Sequence, residues 1–410
     1  MKYLTFGKPN PTIAPSITSP SPGRLDSLTG LRWFAALLIF LYHFSYEDKS
    51  YGTAGEVQWL KHTFFGGPTA VSFFFVLSGF VLAWTLRADD TKVGFWRRRF
   101  ARIYPSHLVM FLVALVALPW LAQHFSWRAA LANVTLTQAW VPGDDRIWFG
   151  FNGVSWSLSC EFFFYAMFPF LARWLRGLSV RGWYVVGGLS CLFVVVLPFT
   201  VEVFRSVLGW TPLFVTYLLP PLRLPDFLAG ICLAFIVKAG KWRGPGVVIS
   251  LGLCAAALFW GVHQVPDEFH RAAVTVIPFS LLIAAAASAD LRGAPSVFRN
   301  KRIVYLGEIS FCFYLVHELV IYLANHVMGS RDIATVPNLI AVFCIALVGA
   351  VLLHEFVEKP GVKLLSGSRK KTRPRVTRID PAPAADFEER ANGAEPETRR
   401  HGPVSRTRLA

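Results

Sequence analysis

Apolar runs close to 20 residues long recur along this chain, for example at 69–86, 185–200, 272–288 and 336–353. A helix rises about 1.5 Å per residue, so a run of roughly 20 spans the hydrocarbon core of a bilayer with every backbone polar group satisfied internally. Composition agrees: 54% of the residues are hydrophobic and only 16% are charged, against about 25% charged in a soluble domain. The mean hydropathy is +0.46. The expected fold is all-α, a polytopic membrane helix bundle of about ten transmembrane helices.

The formal charge of +16 would suit a nucleic-acid binder if it formed one patch. Instead the basic residues form short clusters between apolar runs, such as Arg97, Arg98, Arg99 and Arg102, which is the pattern of cytoplasmic loops in membrane proteins. No nucleic-acid partner is expected, and membrane lipids are. The tail cluster, Arg369 to Arg378, follows the last apolar run and suits anionic headgroups. The six cysteines lie within apolar segments and form no CxxC pair, so they read as small buried hydrophobes and not as a disulfide framework or a zinc site. Residues 366–410, rich in Arg, Pro, Glu and Ala, are expected to form a disordered cytoplasmic tail, and residues 1–30 a cytoplasmic N-terminal segment. No small-residue cleavage site follows the first apolar run, so it is expected to stay as the first membrane helix. The membrane domain is expected over 31–360.

Eleven stretches qualify as candidate spans: 31–46, 68–86, 103–122, 154–174, 183–200, 204–221, 222–238, 246–263, 272–289, 303–325 and 336–357. If 204–221 crosses, the basic loops at Lys238 to Arg243 and Arg292 to Arg302, and the tail, all fall outside the cell. If that stretch, interrupted by Gly209, Pro212, Pro220 and Pro221, stays on or re-enters the outer face, every basic loop returns to the cytoplasm. The reading is ten spans in the cell membrane with both termini cytoplasmic. No internal repeat of the inverted-repeat transporter kind is seen.

Ionisable groups inside spans are costly and mark candidate functional sites. Arg32 and His43 lie eleven residues apart in one run, which brings them to nearly the same helix face about 16 Å apart along the axis. Snorkelling by the arginine and packing of the histidine would give the same pattern. Ser78-Gly79, within 73–80, permits close approach of a neighbouring backbone or a ligand. Arg99 and Arg102 share a helix face and could grip phosphates or only mark topology. Glu161 lies inside an apolar band after Asn152, Ser155, Trp156, Ser157 and Ser159, which is hard to read as packing. Further polar groups are Arg223, Asp226, His317, Glu318, His354, Glu355 and Glu358. The run from His354 to Glu358 begins like a zincin helix but has Glu358 where a second histidine belongs, so no metal site is expected. There is no GxSxG elbow, P-loop or dinucleotide fingerprint.

These elements together resemble the acyltransferase-3 family of multi-pass membrane proteins over about 24–360. The family's Arg-x10-His appears as Arg32 and His43, its Phe-Phe-x-x-Ser-Gly as Phe74 to Gly79, and its Arg-x-x-Arg as Arg99 and Arg102. Its Trp-Ser-Leu-Ser-x-Glu appears as Trp156 to Glu161, with Phe162 in place of the usual second acid. The late Ser-Tyr-x-x-Tyr-Leu-x-His element is seen in Ser310, Tyr314, Leu315 and His317, with Phe311 replacing the first tyrosine, and Glu358-Lys359-Pro360 is similar to the closing Glu-x-Pro. The resemblance implies transfer of a short acyl group from cytoplasmic acyl-CoA, a donor substrate and not a resident cofactor, to a hydroxyl of a carbohydrate or glycosylated metabolite. Leu28-Thr29-Gly30-Leu31-Arg32 after a short polar N-terminus looks like the macrolide acyltransferase branch. Envelope-polysaccharide acetylation, or transport of a polar lipid or polysaccharide without bond making, are the alternatives.

On this resemblance His43 is the general base and Glu161 orients it or binds acceptor from the same outer side. Arg99 and Arg102 hold the CoA phosphates, with Arg32 meeting the acyl arm. Asn152, Ser155, Trp156, Arg223 and His317 are expected to bind the acceptor. The topology itself makes a prediction. In a cysteine-free variant, a single cysteine beside Lys241 is expected to be protected from an impermeant thiol reagent and one beside Glu268 to be labelled; the reverse pattern would overturn the assigned sidedness.

Overall fold

The computed structural model describes residues 23–46, 58–87, 90–120, 124–328 and 335–366, which lie in a single compact unit. Most of the N-terminal segment and the basic tail lie outside the described residues. Ten principal helices follow one another: α1 (Asp26–Tyr46), α2 (Ala70–Thr85), α3 (Lys92–Ala117), α4 (Trp156–Arg176), α5 (Val180–Val196), α6 (Pro220–Lys238), α7 (Val247–Phe259), α8 (Val276–Leu291), α9 (Lys301–Met328) and α10 (Val336–Leu353). No β-strand occurs among the described residues. Eight helical stretches are long and apolar enough to cross a bilayer, and α7 and α8 are shorter apolar helices at the remaining two expected positions. The chain is an all-α polytopic membrane bundle.

The residues 204–221 do not form a helix of their own. A short helix, Val201–Leu208, continues the end of α5 and closes at Gly209. A π-helical turn, Phe214–Leu218, then leads into α6, whose first residue is Pro220. The prolines and Gly209 divide the apolar run between its two neighbours.

Helix α3 starts eleven residues before its expected boundary at 103. Thr91 caps it, its hydroxyl accepting from the Gly94 amide at 3.1 Å. The arginine cluster therefore lies on the first turns of a helix, where residues three apart project from one face. Between α3 and α4 the described residues make five short helical turns, the longest Trp127–Val134, and pack the buried Asn133 and Gln138 against the start of α4.

The most extensive helix pairs are α2 with α6 and α1 with α9. At the first, Gly79 and Gly230 face the opposing backbone: a Cβ on Gly79 would lie 2.0 Å from the Phe227 carbonyl oxygen, and one on Gly230 would lie 1.9 Å from that of Val76. Small residues let helix axes approach until backbones touch, the main source of packing where lipid tails remove the hydrophobic drive. The seam also buries the Arg223–Asp226 ion pair at 3.1 Å, with the Ser72 hydroxyl donating to Asp226. The second pair is held by aromatic packing, with Trp33 and Phe40 of α1 at 5.2 and 5.7 Å from the Phe313 ring of α9. Helices α5, α7 and α10 turn apolar side chains outward, including Leu189, Val248 and Val348. In water such a belt would be a liability, whereas against acyl chains it costs nothing.

Replacing Gly79 by Ala forces α2 from α6 by overlap with backbone that has no rotamer to change. The expected loss is at least the roughly 1–3 kcal/mol of an overpacked core. It is measured as a lower melting temperature and lower yield of monodisperse protein in detergent, with Gly188→Ala, where a Cβ meets nothing within 4 Å, as the unaffected control.

Candidate active site

A cavity of about 380 Å³ opens between α1, α2, α3, α4 and α9. Its polar lining comes from Arg32 of α1, Ser78 of α2, Arg99 and Arg102 of α3, Ser157, Glu161 and Tyr165 of α4, and Ser310 and Tyr314 of α9. Phe74, Phe75 and Leu158 supply apolar wall. Three guanidinium groups thus face a single lining carboxylate. The Glu161 carboxylate accepts from the Tyr165 hydroxyl at 2.9 Å. The Nε of Arg99 is buried without a hydrogen-bond partner, although its guanidinium stands 5.7 Å from the Phe95 ring. A cavity walled by apolar side chains strengthens these charges, an arrangement able to hold an anion with several oxygens.

His43 lies outside this lining, near the other end of α1. Its Nδ1 is 2.8 Å from Nε2 of His317, and the two rings are stacked, with an interplanar angle of 6°. Nδ1 of His317 is 3.2 Å from the Phe313 carbonyl oxygen, which can only accept. With both rings neutral, His317 Nδ1 carries its proton toward that carbonyl and leaves Nε2 as an acceptor. His43 Nδ1–H then donates to His317, and the free lone pair falls on His43 Nε2, the arrangement a general base requires.

Tyr314 connects the two places. It lines the cavity, its ring centroid is 5.8 Å from that of His317, and its hydroxyl lies 2.9 Å from both Ser157 Oγ and the Val154 carbonyl. Phe74 stands beside it at 6.3 Å.

The structure therefore brings together Arg32, Arg99, Arg102 and Glu161, and separately His43 with His317. Glu161 was expected on the same side as His43, to orient its ring or to bind the acceptor. It lies instead among the arginines, since five residues carry it about 7.5 Å into α4 from Trp156, and His317 takes the place beside the base. The expected acceptor ligands are mostly occupied by the protein. Asn152 is fully buried and its Nδ2 donates to the Leu315 carbonyl at 2.9 Å. Ser155 donates to the Asn152 carbonyl and accepts from Asn133. Trp156 packs between Phe75 and Tyr217. Arg223 is fully buried, bonded to Asp226 and to the Thr216 carbonyl. These contacts tie together the start of α4 and the α2–α6 seam, while Asn152 Oδ1 and Arg223 Nε are buried without a hydrogen-bond partner.

Two features escaped the sequence reading. Tyr165 is one turn beyond Glu161, and that i,i+4 spacing was a usable signal. Cys312, read as a buried hydrophobe, meets His354 and Glu358, their ligand atoms all within 4.8 Å. No local pattern foretold that contact.

Arg223→Gln is expected to act as a core lesion, leaving Asp226 buried and unpaired at about 3–5 kcal/mol. The folded fraction in membranes should fall while any protein that folds keeps its substrate affinities, as checked by yield and donor titration. A raised acceptor KM at normal yield would restore a binding role.

Comparison with known proteins places this arrangement in context. The profile of the acyltransferase-3 family, described as an acyltransferase domain, matches residues 25–355. The acyltransferase MdmB of Streptomyces mycarofaciens is 42% identical over 388 residues, covering 88% of this chain and 97% of that protein. The O-acetyltransferase OatA of Staphylococcus aureus is 25% identical over 373 residues, covering 83% of this chain and 57% of the relative. A putative O-acetyltransferase, SACOL0978, from the same species is 24% identical over 376 residues, again with 83% of this chain matched. No solved structure matches the chain.

Proposed function

From a chain that belongs to the acyltransferase-3 family, we propose an O-acyltransferase that takes a short acyl group from cytoplasmic acyl-CoA to a hydroxyl of a carbohydrate or glycosylated metabolite, such as a macrolide. The observation that carries the donor is the cavity in which Arg32, Arg99 and Arg102 oppose one carboxylate, with a buried Arg99 donor unspent. Phosphate oxygens of CoA answer that demand, and a bidentate grip fixes the direction in which the acyl arm leaves. Glu161, held by Tyr165, offsets part of the positive charge while the cavity lacks its donor. The basic loops favour entry from the cytoplasm.

Arg32 and His43 share α1 and lie about 16 Å apart along its axis. An extended phosphopantetheine arm covers such a distance, passing Tyr314 to bring the thioester to the histidine pair. There His43 Nε2 takes the proton of the acceptor hydroxyl as its oxygen attacks the thioester carbonyl. The new C–O bond forms, the C–S bond breaks, and the proton on His43 passes to the departing CoA thiolate. His317 keeps the His43 ring in the tautomer that can accept. The acceptor class follows from the motif resemblance and from the extent of the match to the relatives described above.

His43→Ala is expected to abolish transfer at unchanged membrane abundance, since losing a general base lowers rates by about 10²–10⁴-fold. His43→Gln should fail equally. His317→Ala should give a smaller loss, by freeing the tautomer. The readout is mass spectrometry of cell extracts for the metabolite that loses its acyl increment when the gene is removed. Near-native product with His43→Gln would make His43 structural and move the base elsewhere.

A further inference from the structure

Beyond α10 the chain widens into a π-helical turn, His354–Glu358, and then runs on as a short helix, Lys359–Leu365. Such single π turns displace side chains from the register of the flanking helix and are frequent at functional sites. Here the turn buries the Glu358 carboxylate, 2% exposed, against α9 and α3. One oxygen, Oε2, is 2.7 Å from His354 Nδ1 and accepts from the Cys312 thiol at 3.2 Å. The other, Oε1, is 3.5 Å from Arg102 Nη2. The Arg102 side chain is 40% exposed and lines the donor cavity. A buried acid thus stands behind a partly exposed cation.

We infer that Glu358 is a positioning residue that holds the Arg102 guanidinium ready for the donor's phosphate. This rests on the reading of Arg102 as a phosphate ligand. A guanidinium has five N–H donors, so one held by a buried carboxylate leaves the others free to meet a second anion. An arginine held in place also loses less rotamer freedom on binding. His354 and Cys312 occupy Oε2 and so keep the carboxylate turned toward α3. Of the three lining arginines, Arg102 is the one whose guanidinium comes within ion-pair distance of a carboxylate among the described residues.

The same trio has the chemistry of a metal site, with thiol, imidazole and carboxylate atoms within 4.8 Å. The surroundings speak against it. Oε2 already engages both neighbours, and the guanidinium beside Oε1 would repel a cation held there.

The test is titration of CoA into purified full-length protein by calorimetry, with donor KM and kcat measured in parallel. Glu358→Gln keeps the shape and removes the charge. It is expected to weaken CoA binding and raise donor KM roughly tenfold, the loss of one charge-assisted, preorganised contact, while kcat at saturating donor stays the same. Arg102→Ala is expected to weaken binding at least as much, and the double variant no more than Arg102→Ala alone. If Arg102→Ala binds CoA like the native protein, the underlying phosphate reading fails. If Arg102→Ala weakens binding and Glu358→Gln does not, or if the two effects add in full, the positioning role is overturned. Should Glu358→Gln not accumulate, His354→Asn, which leaves the acid present but less firmly held, is expected to raise donor KM at constant kcat, and no change there overturns the inference. Zinc or iron near one atom per chain, lost in Cys312→Ser, would replace it with a metal centre.

Discussion

Charge inside hydrocarbon is the constraint on which the structure turns. A guanidinium among lipid tails must find an acid, a carbonyl, water or an anionic guest. Arg223 has found the first two and is fully buried. Arg32, Arg99 and Arg102 instead line a cavity with one lining carboxylate, Arg102 also pairing with the buried Glu358 behind it. The same residue type thus serves packing in one place and faces an open cavity in the other, and the partner set distinguishes them. That is why Arg223, an arginine inside a candidate span like Arg32, looked equally functional from sequence.

Much of the architecture was legible because lipid admits few solutions. Apolar runs give helices, and the ten expected positions each hold one. The periodicity of a helix also fixed the common face of Arg99 and Arg102 and the spacing of Arg32 from His43. What stayed hidden depends on contacts between distant parts of the chain. His43 and His317 are 274 residues apart, and Cys312 and Glu358 are 46 apart in different helices. Nothing in a local pattern says which of several buried histidines or acids will meet. The place of Glu161 has the same origin: its neighbours are set by how α3 packs on α4.

The glycine contact between α2 and α6 bears on the site as well as on stability. Gly79 ends the Phe74 to Gly79 element, and the same helix carries Phe74 and Ser78 into the cavity wall. Backbone contact on one face of α2 thereby sets how far its other face projects toward Tyr314. Ser78 lines the cavity and Gly79 packs, so the two adjacent residues divide the two roles that small residues can play in a membrane helix.

Separation of anion site and base has a mechanistic consequence. A thioester held beside the arginines would be far from His43, and a hydroxyl arriving at His43 would find no carbonyl to attack until the donor arm was fully extended. On the proposed mechanism, reaction needs both the grip at one end of α1 and the reach to the other, so that the helix would act as a ruler for the donor. Tyr314, fixed by Ser157 and the Val154 carbonyl, stands where that arm must pass. Ser157 and Val154 belong to the start of α4, the segment that Asn152 and Glu318 fasten to α9, with the Val154 amide donating to Glu318 at 2.8 Å. On that mechanism the serine-rich opening of α4 would hold the passage between donor and base at a fixed width, its buried hydrogen bonds acting on catalysis through Tyr314 without touching either substrate.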